Sequence, residues 1–310
     1  MRVLIAEHDH AMYAQLLRQA AADIEILTSG DSAELSRLAA DCPVWLGQPD
    51  LLATLLRQGH KPRWLQSTWA GITPLLAEGL TRDYRLTRAV GIFGQVMAEY
   101  VLTYMLGHER EVLARLVSQV ERKWDNRQSQ SLAGRKVLIV GTGDIGRRVA
   151  EFLVPFGVQL YGIASEAREL APFIEVGALQ DLPRLVGEVD YVINLLPNTP
   201  DTHDIYDAAL FKQFKPTGLF INVGRGVAVV DADLVQALQD GHLAGAVIDV
   251  CRQEPLPQRH PFWTAWGLLL TGHSSAPTSP PMMVQLFLEN LRAYEAGEAL
   301  RGEVDFSRGY

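Results

Sequence analysis

The chain is poor in cysteine, in clustered basic residues and in long apolar runs, and each shortage excludes a class of protein. Its 310 residues include two cysteines, Cys42 and Cys251, too few for the disulfide framework of a small secreted domain or for a cysteine-rich metal cluster. The formal net charge of -8 supplies no basic surface for nucleic acid. These shortages predict a protein of a reducing compartment without a metal site.

Apolar runs are short throughout the sequence. The N-terminal run RVLIA stops at a glutamate, before it reaches the length of a signal-peptide core. No other run approaches the roughly 20 residues that an apolar helix needs to cross a bilayer. We therefore expect a cytoplasmic protein that binds neither membranes nor nucleic acid.

The sequence is rich instead in short apolar runs that alternate with helical patterns. Before residue 98 the apolar runs are RVLIA, IEILT, VWLG and RWLQST, and helical stretches such as MYAQLLRQAA and DLLATLLRQG separate them. This alternation predicts a parallel sheet covered by helices, which is the pattern of an α/β domain.

A second series of the same kind starts at residue 137. Its apolar runs are VLIVG, VQLYGI, VDYVINLLP, GLFINVG, AGAVIDV and LLLTG. One long helical pattern from Gln95 to Val120 precedes it, and a last helix, PPMMVQLFLENLRAYEAG, is free to return to the first series. The sequence thus predicts two doubly wound parallel-sheet domains: residues 1–98 with 276–310, and residues 99–275 inserted between them, with a substrate cleft between the domains.

The stretch VLIVGTGDIGRRVA, residues 137–150, predicts a nucleotide site. An apolar strand leads into a turn with three glycines and then a helix, which is the arrangement that holds a dinucleotide pyrophosphate. A purely structural turn is the alternative, but the strand before it and the helix after it favour nucleotide binding. The predicted cradle consists of Gly141, Gly143, Asp144, Ile145 and Gly146, with the Asp144 carboxylate directed to solvent.

The end of the next strand bears on which dinucleotide binds. Ala164 and Ser165 stand where an acidic residue commonly binds the adenosine ribose, so no carboxylate at that position repels a 2'-phosphate. Glu166 would restore the repulsion if it faced the ribose, whereas Arg168 would attract the phosphate. The sequence leaves open which of the two faces the ribose, and it favours NADP over NAD.

Three polar residues follow predicted strands of the second series. Arg225, Asp249 and His273 come after GLFINVG, AGAVI and LLLTG, at intervals of 24 positions along the sequence. The carboxyl ends of parallel strands share one edge of a sheet, where ligands bind, so these residues are expected to converge. Glu254 lies in a loop at the same edge.

These residue types suit the reduction of a 2-oxo acid. The arginine fork can bind a carboxylate and a carbonyl oxygen, and histidine can protonate the alkoxide that a hydride creates. A carboxylate such as Glu254 would raise the pKa of that histidine. Each residue alone could instead be structural: Arg225 as a surface ion-pair partner, Glu254 as a loop charge, His273 as a buried imidazole. Because all of them are placed at the same edge of the sheet, a catalytic role is favoured over a structural one.

Several motifs together resemble the D-isomer-specific 2-hydroxyacid dehydrogenase family over nearly the whole chain. They are LAGRKVLIVGTGDIG, NLLPNTPDT, INVGRGVAVVDADLVQAL, GAVIDVCRQEPLP and TGHSSAPT, and the segments QVMAEYVL and VDFSRGY are most similar to its glyoxylate/hydroxypyruvate reductase A branch. The resemblance implies a Rossmann dinucleotide-binding domain inserted into a flavodoxin-like substrate domain. It also implies a homodimeric reductase that transfers hydride from NADPH or NADH to a small 2-oxo acid and releases a D-2-hydroxy acid.

The resemblance implies a role for each matching residue. Arg225 would hold the substrate carboxylate and carbonyl, His273 would be the acid, and Glu254 would pair with it. Asp249 would bind the nicotinamide carboxamide. In STWAGIT, the backbone amides of Ala70 and Gly71 would bind the substrate carboxylate. The other predicted cofactor contacts are Ser165, Leu196, Pro197, Thr202, Val223 and Ser275.

Two departures from the family pattern concern the substrate. Gly272 precedes His273 where the family commonly has proline, which loosens the backbone that aims the imidazole. Trp69 is either a core residue or a residue that narrows the pocket for small substrates. Two other functions stay open: a dehydrogenase of the same family for a bulkier 2-hydroxy acid, and a non-catalytic NAD(H)-sensing protein, against which the presence of the catalytic trio argues.

Overall fold

A computed structural model of the chain describes residues 1–307 and divides it into two compact units. The first unit combines Met1–Ile92 with the chain from Thr278 onward, and the second is Phe93–Pro277. The sequence had placed the divisions after residues 98 and 275. The two units divide after residues 92 and 277, and the larger shift, at the first division, arises because an uninterrupted helix starts at Gly94 and belongs wholly to the second unit. The last three residues of the VDFSRGY segment lie outside the described residues.

The first unit begins with the predicted alternation of strands and helices. Its elements are β1 (Arg2–Ala6), α1 (His10–Ala20), β2 (Glu25–Thr28), α2 (Ser32–Ala39), β3 (Val44–Gly47), α3 (Pro49–Arg57), β4 (Trp64–Ser67) and β5 (Arg85–Thr87). Strand β5 was not predicted, because its three residues carry no apolar run.

The second unit contains the longer series. Its elements are α4 (Gly94–Glu109), α5 (Val112–Val120), β6 (Lys136–Val140), α6 (Asp144–Leu153), β7 (Gln159–Ala164), β8 (Glu175–Ala178), α7 (Leu182–Glu188), β9 (Tyr191–Asn194), α8 (Ala208–Phe211), β10 (Leu219–Asn222), α9 (Asp231–Gln239), β11 (Gly245–Ile248) and β12 (Leu268–Leu270). The chain then returns to the first unit through α10 (Pro280–Ala296), which ends at Gly297 in a left-handed conformation.

Both sheets are parallel and doubly wound, which confirms the predicted fold class. The first has the order β2-β1-β3-β4-β5, the flavodoxin-like arrangement, and the second has the order β12-β11-β10-β9-β6-β7-β8, the Rossmann arrangement. The strand order of the second sheet reverses between β6 and β9. In an open α/β sheet, ligands bind outside the carboxyl ends of the strands at such a reversal.

The strands of the second sheet are covered on both faces. Every residue of β9, β10 and β11 is buried, as expected for parallel strands between two layers of helices. Burial of each large aliphatic side chain contributes about 1.5–3 kcal/mol relative to an exposed one, so the sheet is a rigid platform for the loops at its edge.

Among residues 1–307, no helix is both long enough and apolar enough to cross a membrane.

The long helix predicted from Gln95 to Val120 is wrong as a single element. It is divided into α4 and α5 at Glu111, which has a φ of 51° in the left-handed region. Any residue in that conformation interrupts a right-handed helix, because the helix needs a negative φ at every position. The apolar side chains of α5 consequently form a separate face, which is largely exposed.

Candidate active site at the carboxyl edge of the second sheet

The glycine turn between β6 and α6 has the backbone shape that a pyrophosphate requires. Gly141 has a φ of 109°, and a Cβ at Gly146 would lie 2.0 Å from the Gly141 oxygen, so both positions exclude a side chain. A Cβ at Gly143 would meet nothing within 4 Å. The amides at the start of α6 are therefore open to an anion, and the exposed Asp144 lies at the helix start.

The loop after β9 lies against this turn, on the other side of the strand-order reversal. A Cβ on Gly141 would be 3.0 Å from the Leu195 carbonyl carbon and 3.3 Å from the Leu196 nitrogen. The Thr202 hydroxyl donates to the Pro197 oxygen at 2.7 Å and fixes this loop. The predicted cofactor residues Leu196, Pro197 and Thr202 thus belong to one loop beside the glycine turn.

Arg168 contacts the glycine turn from the segment after β7. Its Nη2 donates to the Thr142 oxygen at 3.2 Å and to the Thr142 hydroxyl at 3.1 Å. Ser165, Glu166 and Arg168 are all exposed, so the contact with Thr142 is what distinguishes Arg168. Of the two charged residues that the sequence left open, Arg168 is therefore the one held at the turn.

A hydrogen-bonded asparagine pair shapes the turn that carries Arg225. Asn194 donates to Asn222 Oδ1 at 2.9 Å, and the same oxygen accepts the Gly224 amide at 3.2 Å. The Asn222 amide nitrogen donates to the Arg225 oxygen at 3.3 Å. Both asparagines are fully buried, and Arg225 is half-buried at the edge.

This turn packs on the segment that leads to Glu254. A Cβ at Gly226 would lie 2.0 Å from the Cys251 carbonyl carbon, so the two backbones are in direct contact. Val223, another predicted cofactor residue, is buried just before the turn, and its amide donates to the Asn194 oxygen at 3.1 Å.

His273 and Glu254 form the pair that the sequence predicted. Nδ1 of His273 lies 2.6 Å from Oε2 of Glu254, and the other carboxylate oxygen accepts the Cys251 amide at 2.8 Å. The hydrogen bond to Glu254 raises the pKa of His273; burial and the Arg225 charge act against it, and the charges of Glu254 and Asp249 add to it. Burial alone would raise the pKa of Glu254, but the bonds from His273 and Cys251 outweigh it and lower that pKa.

Asp249 is buried and holds the loop that carries the histidine. Its Oδ1 accepts the Ser274 amide at 2.8 Å and the Thr271 hydroxyl at 2.6 Å, and its Oδ2 accepts the Ser275 amide at 3.1 Å. A carboxylate offers about four acceptor positions, so Oδ2 retains capacity for one further donor. A nicotinamide carboxamide is such a donor.

The predicted substrate residues Trp69, Ala70 and Gly71 follow β4 in the first unit. The Trp69 backbone amide donates to the Ser67 hydroxyl at 3.1 Å, and the Trp69 carbonyl oxygen accepts the Ala89 amide at 3.1 Å. Trp69 is 40% exposed. The alternative that placed Trp69 in the core is therefore wrong.

Three residues that shape the edge were missed by the sequence analysis. Asn222 lies inside the apolar run LFIN, where its polar side chain was a usable signal. Thr271 contacts Asp249 at 2.6 Å and Tyr100 at 2.7 Å. Tyr100 is 171 residues away in the sequence and sits in a helix, so no periodicity or spacing could have indicated it.

Known proteins resemble this chain over most of its length. A glyoxylate/hydroxypyruvate reductase A from Photorhabdus laumondii is 31% identical over 274 residues, which cover 86% of each chain. A D-isomer specific 2-hydroxyacid dehydrogenase family protein from Aeromonas salmonicida is 36% identical, with a TM-score of 0.93 over 98% of this chain and 99% of the other. An NADPH-dependent glyoxylate/hydroxypyruvate reductase from Sinorhizobium meliloti, solved with NADP and sulfate, is 26% identical, with a TM-score of 0.88 over 100% and 99%.

A family model matches the part of the chain that contains these residues. The model of the NAD-binding domain of D-isomer specific 2-hydroxyacid dehydrogenases matches residues 102–275, which include the glycine turn, Arg225, Glu254 and His273. With this match and the relatives above, the chain belongs to the D-isomer specific 2-hydroxyacid dehydrogenase family of NAD(P)-dependent enzymes.

Proposed function

We propose that the protein reduces a small 2-oxo acid of the glyoxylate or hydroxypyruvate type to the D-2-hydroxy acid, with NADPH preferred over NADH. The observation that carries this proposal is the 2.6 Å contact between His273 and Glu254 at the sheet edge that also carries Arg225. A raised histidine pKa is what a proton donor near neutral pH needs.

The contacts of His273 assign the atom that gives the proton. Nδ1 faces Glu254, so its proton is held by the carboxylate, and Nε2 remains for the substrate oxygen. Arg225 offers parallel N–H donors for the substrate carboxylate and for the carbonyl oxygen on which negative charge develops. When bound, the nicotinamide supplies the hydride, and these side chains orient the acceptor carbon and deliver the proton.

The preference for NADPH is supported by Arg168. Its guanidinium is held against Thr142, next to the glycine turn and after the strand at whose end the adenosine ribose binds in this fold. A guanidinium there would bind a 2'-phosphate, and Ala164 contributes no opposing carboxylate. Several similar proteins have been solved with NADP or NADPH, which agrees with this choice.

The proposal for a small substrate is supported by the loop after β4. The amides of Ala70 and Gly71 would receive the substrate carboxylate. Trp69, which is 40% exposed, would limit the size of the group attached to the 2-carbon. Relatives named for glyoxylate and hydroxypyruvate fit the same size range.

The first test is the initial rate of NADPH and NADH oxidation with glyoxylate, hydroxypyruvate and pyruvate. Native protein should turn over glyoxylate or hydroxypyruvate, and Arg225→Ala should lower kcat/KM by about 10²–10³-fold, as expected when a donor to the developing oxyanion is removed. Arg184→Ala, an exposed arginine of α7, is the matched control and should keep the native rate.

Two other results would each reject the proposal. Turnover restricted to 2-oxo acids with a bulky side chain would assign the protein to a different substrate of the same family. Tight cofactor binding with no turnover of any 2-oxo acid would favour the NAD(H)-sensing function. The presence of His273, Glu254 and Arg225 together argues against that function.

We also propose a homodimer. Its support is the apolar face of α5, whose members are 53–77% exposed in one chain: Val112, Leu113, Leu116, Val117 and Val120. A contiguous apolar face of this kind is typical of a protein–protein contact.

A further inference from the structure

The loop that carries His273 has an unusual backbone. Gly272 has a φ of 68° and His273 a φ of 56°, so two consecutive residues are in the left-handed region. A residue with a side chain rarely adopts this conformation, and it persists only where the surroundings impose it. Contacts between this loop and its neighbours must therefore hold Gly272 and His273 in the left-handed conformation.

Asp249 supplies most of these contacts. Its backbone oxygen accepts the His273 amide at 2.6 Å, and its carboxylate accepts the amides of Ser274 and Ser275 at 2.8 and 3.1 Å. Three successive amides of the loop thus converge on one residue. Asp249 is 1% exposed, so water does not compete for these bonds.

A hydrogen-bonded chain from α4 fixes the Asp249 carboxylate in turn. The Thr271 hydroxyl lies 2.6 Å from Asp249 Oδ1, and the Tyr100 hydroxyl lies 2.7 Å from the Thr271 hydroxyl. The carboxylate only accepts, so Thr271 donates to it and its single proton is used. Tyr100 must then donate to Thr271.

Tyr100 is suited to a permanent donor role. Burial raises its pKa, so the hydroxyl keeps its proton at any pH at which the protein works. The order of donation, from Tyr100 to Thr271 to Asp249, is therefore fixed and does not reverse with pH.

We propose that Tyr100 and Thr271 are positioning residues which, through Asp249, hold the histidine loop so that Nδ1 of His273 meets Glu254 and Nε2 faces the substrate. The inference deepens the proposed reductase function and rests on it for the kinetic effects. The His273 side chain is itself 52% exposed, so the backbone of its loop decides where the ring points. The charged groups that face the ring are Glu254, Asp249 and Arg225.

The kinetic test removes single hydroxyl groups. Tyr100→Phe and Thr271→Val should each lower kcat by about tenfold and change KM for the 2-oxo acid by less than about twofold, because a misaimed acid slows the chemical step without loosening binding. Thr271→Ser keeps the donor and should restore the native kcat. Tyr161→Phe on β7 and Thr264→Val remove the same groups elsewhere in the second unit and should match native protein.

A second readout does not depend on activity or on bound cofactor. The imidazole of His273 is titrated by NMR in the full-length free protein, and His273→Gln identifies its signal among the eight histidines. The pKa of His273 should fall in Tyr100→Phe and Thr271→Val, because the hydrogen bond to Glu254 loosens, and it should be native in Thr271→Ser. Neither variant changes a charge, so a lowered pKa reports the geometry of the pair.

The outcomes separate this inference from the proposed function. If native protein reduces no 2-oxo acid but both variants lower the His273 pKa, the function fails and the positioning role stands. Native kcat and native His273 titration in both variants would overturn the positioning role. Equal changes in the control variants Tyr161→Phe and Thr264→Val would also overturn the positioning role. The role would fail as well if thermal unfolding showed that Tyr100→Phe and Thr271→Val lose the fold of the second unit and Thr271→Ser did not restore the native kcat.

Discussion

At the scale of single residues, the hydrogen bond to Glu254 has the largest effect on the protonation of His273. Glu254 is held in place by the Cys251 amide at 2.8 Å, so its orientation does not depend on the histidine. The lowered pKa of Glu254 and the raised pKa of His273 define a range of pH in which carboxylate and imidazolium are both charged. Within that range Nε2 carries the proton that the reduction requires.

This pairing predicts the pH dependence of the reaction. The rate of reduction should fall as the pH rises through the raised pKa of His273, because the imidazolium loses its proton there. Glu254→Gln removes the charge and should move the fall to lower pH, which the kcat/KM–pH profile measures. Glu169→Gln, an exposed carboxylate of the same unit, is the control. A profile in Glu254→Gln that overlays the native one would exclude Glu254 from this role.

Arg168 gives a second prediction at the residue scale. Arg168→Ala should raise KM for NADPH by about 10–100-fold, since a hydrogen bond to a charged group contributes about 1.5–3 kcal/mol. NADH lacks the 2'-phosphate, so its KM should change by less than about threefold on the same reasoning. The ratio of the two kcat/KM values is the measurement, with Arg184→Ala as the control. Equal losses for both cofactors would instead indicate that Arg168 supports the turn through Thr142.

At the scale of elements, the strands and the convergence at their ends were predictable. Buried parallel strands are continuous apolar runs in the sequence. The residues that follow such strands lie at the carboxyl edge of the sheet, regardless of the structure of the chain between the strands. Arg225, Asp249 and His273 follow β10, β11 and β12, which are neighbours in the sheet. Spacing along the sequence was therefore enough to group them.

Other elements could not be predicted, for physical reasons that differ. Strands β5 and β8, with the sequences RLT and EVGA, are short and mixed in polarity, so only their pairing with neighbours makes them strands. The division of α4 from α5 at Glu111 depends on the backbone of one residue, while the apolar spacing continues past it. The bonds from Tyr100 and Arg168 are side-chain contacts made by tertiary structure alone, and local patterns carry no trace of them.

The packing of α6 on β6 explains why the glycine turn was a good indicator of a nucleotide site. Gly146 lies in the first turn of α6, and any side chain there would overlap the Gly141 oxygen. Gly143, by contrast, opens to empty space and keeps the amides of the helix start accessible. Gly146 therefore allows close packing of the helix on the turn, and Gly143 leaves room for a ligand. A turn with a purely structural role would need the first property but not the second.

At the scale of the whole molecule, the exposed face of α5 determines the expected assembly. The face carries aliphatic side chains with no charged residue among them, and Val120 is 77% exposed. Complete burial of one such side chain contributes about 1.5–3 kcal/mol. Association itself costs about 4–15 kcal/mol, so the apolar side chains of both chains together favour a dimer only if most of them are buried in the contact.

Light scattering coupled to size exclusion should accordingly give twice the 34.3 kDa of one chain. The double variant Leu116→Asp, Val120→Asp should give the mass of one chain, because two carboxylates cannot be buried in an apolar contact without partners. Ile174→Asp, at an apolar residue that is 64% exposed and lies between β7 and β8, is the control and should remain a dimer. Native protein with the mass of one chain, or a double variant that keeps the native mass, would show that α5 is not the contact. Retention of reductase activity by the monomeric variant would further show that one chain holds every group the reaction needs.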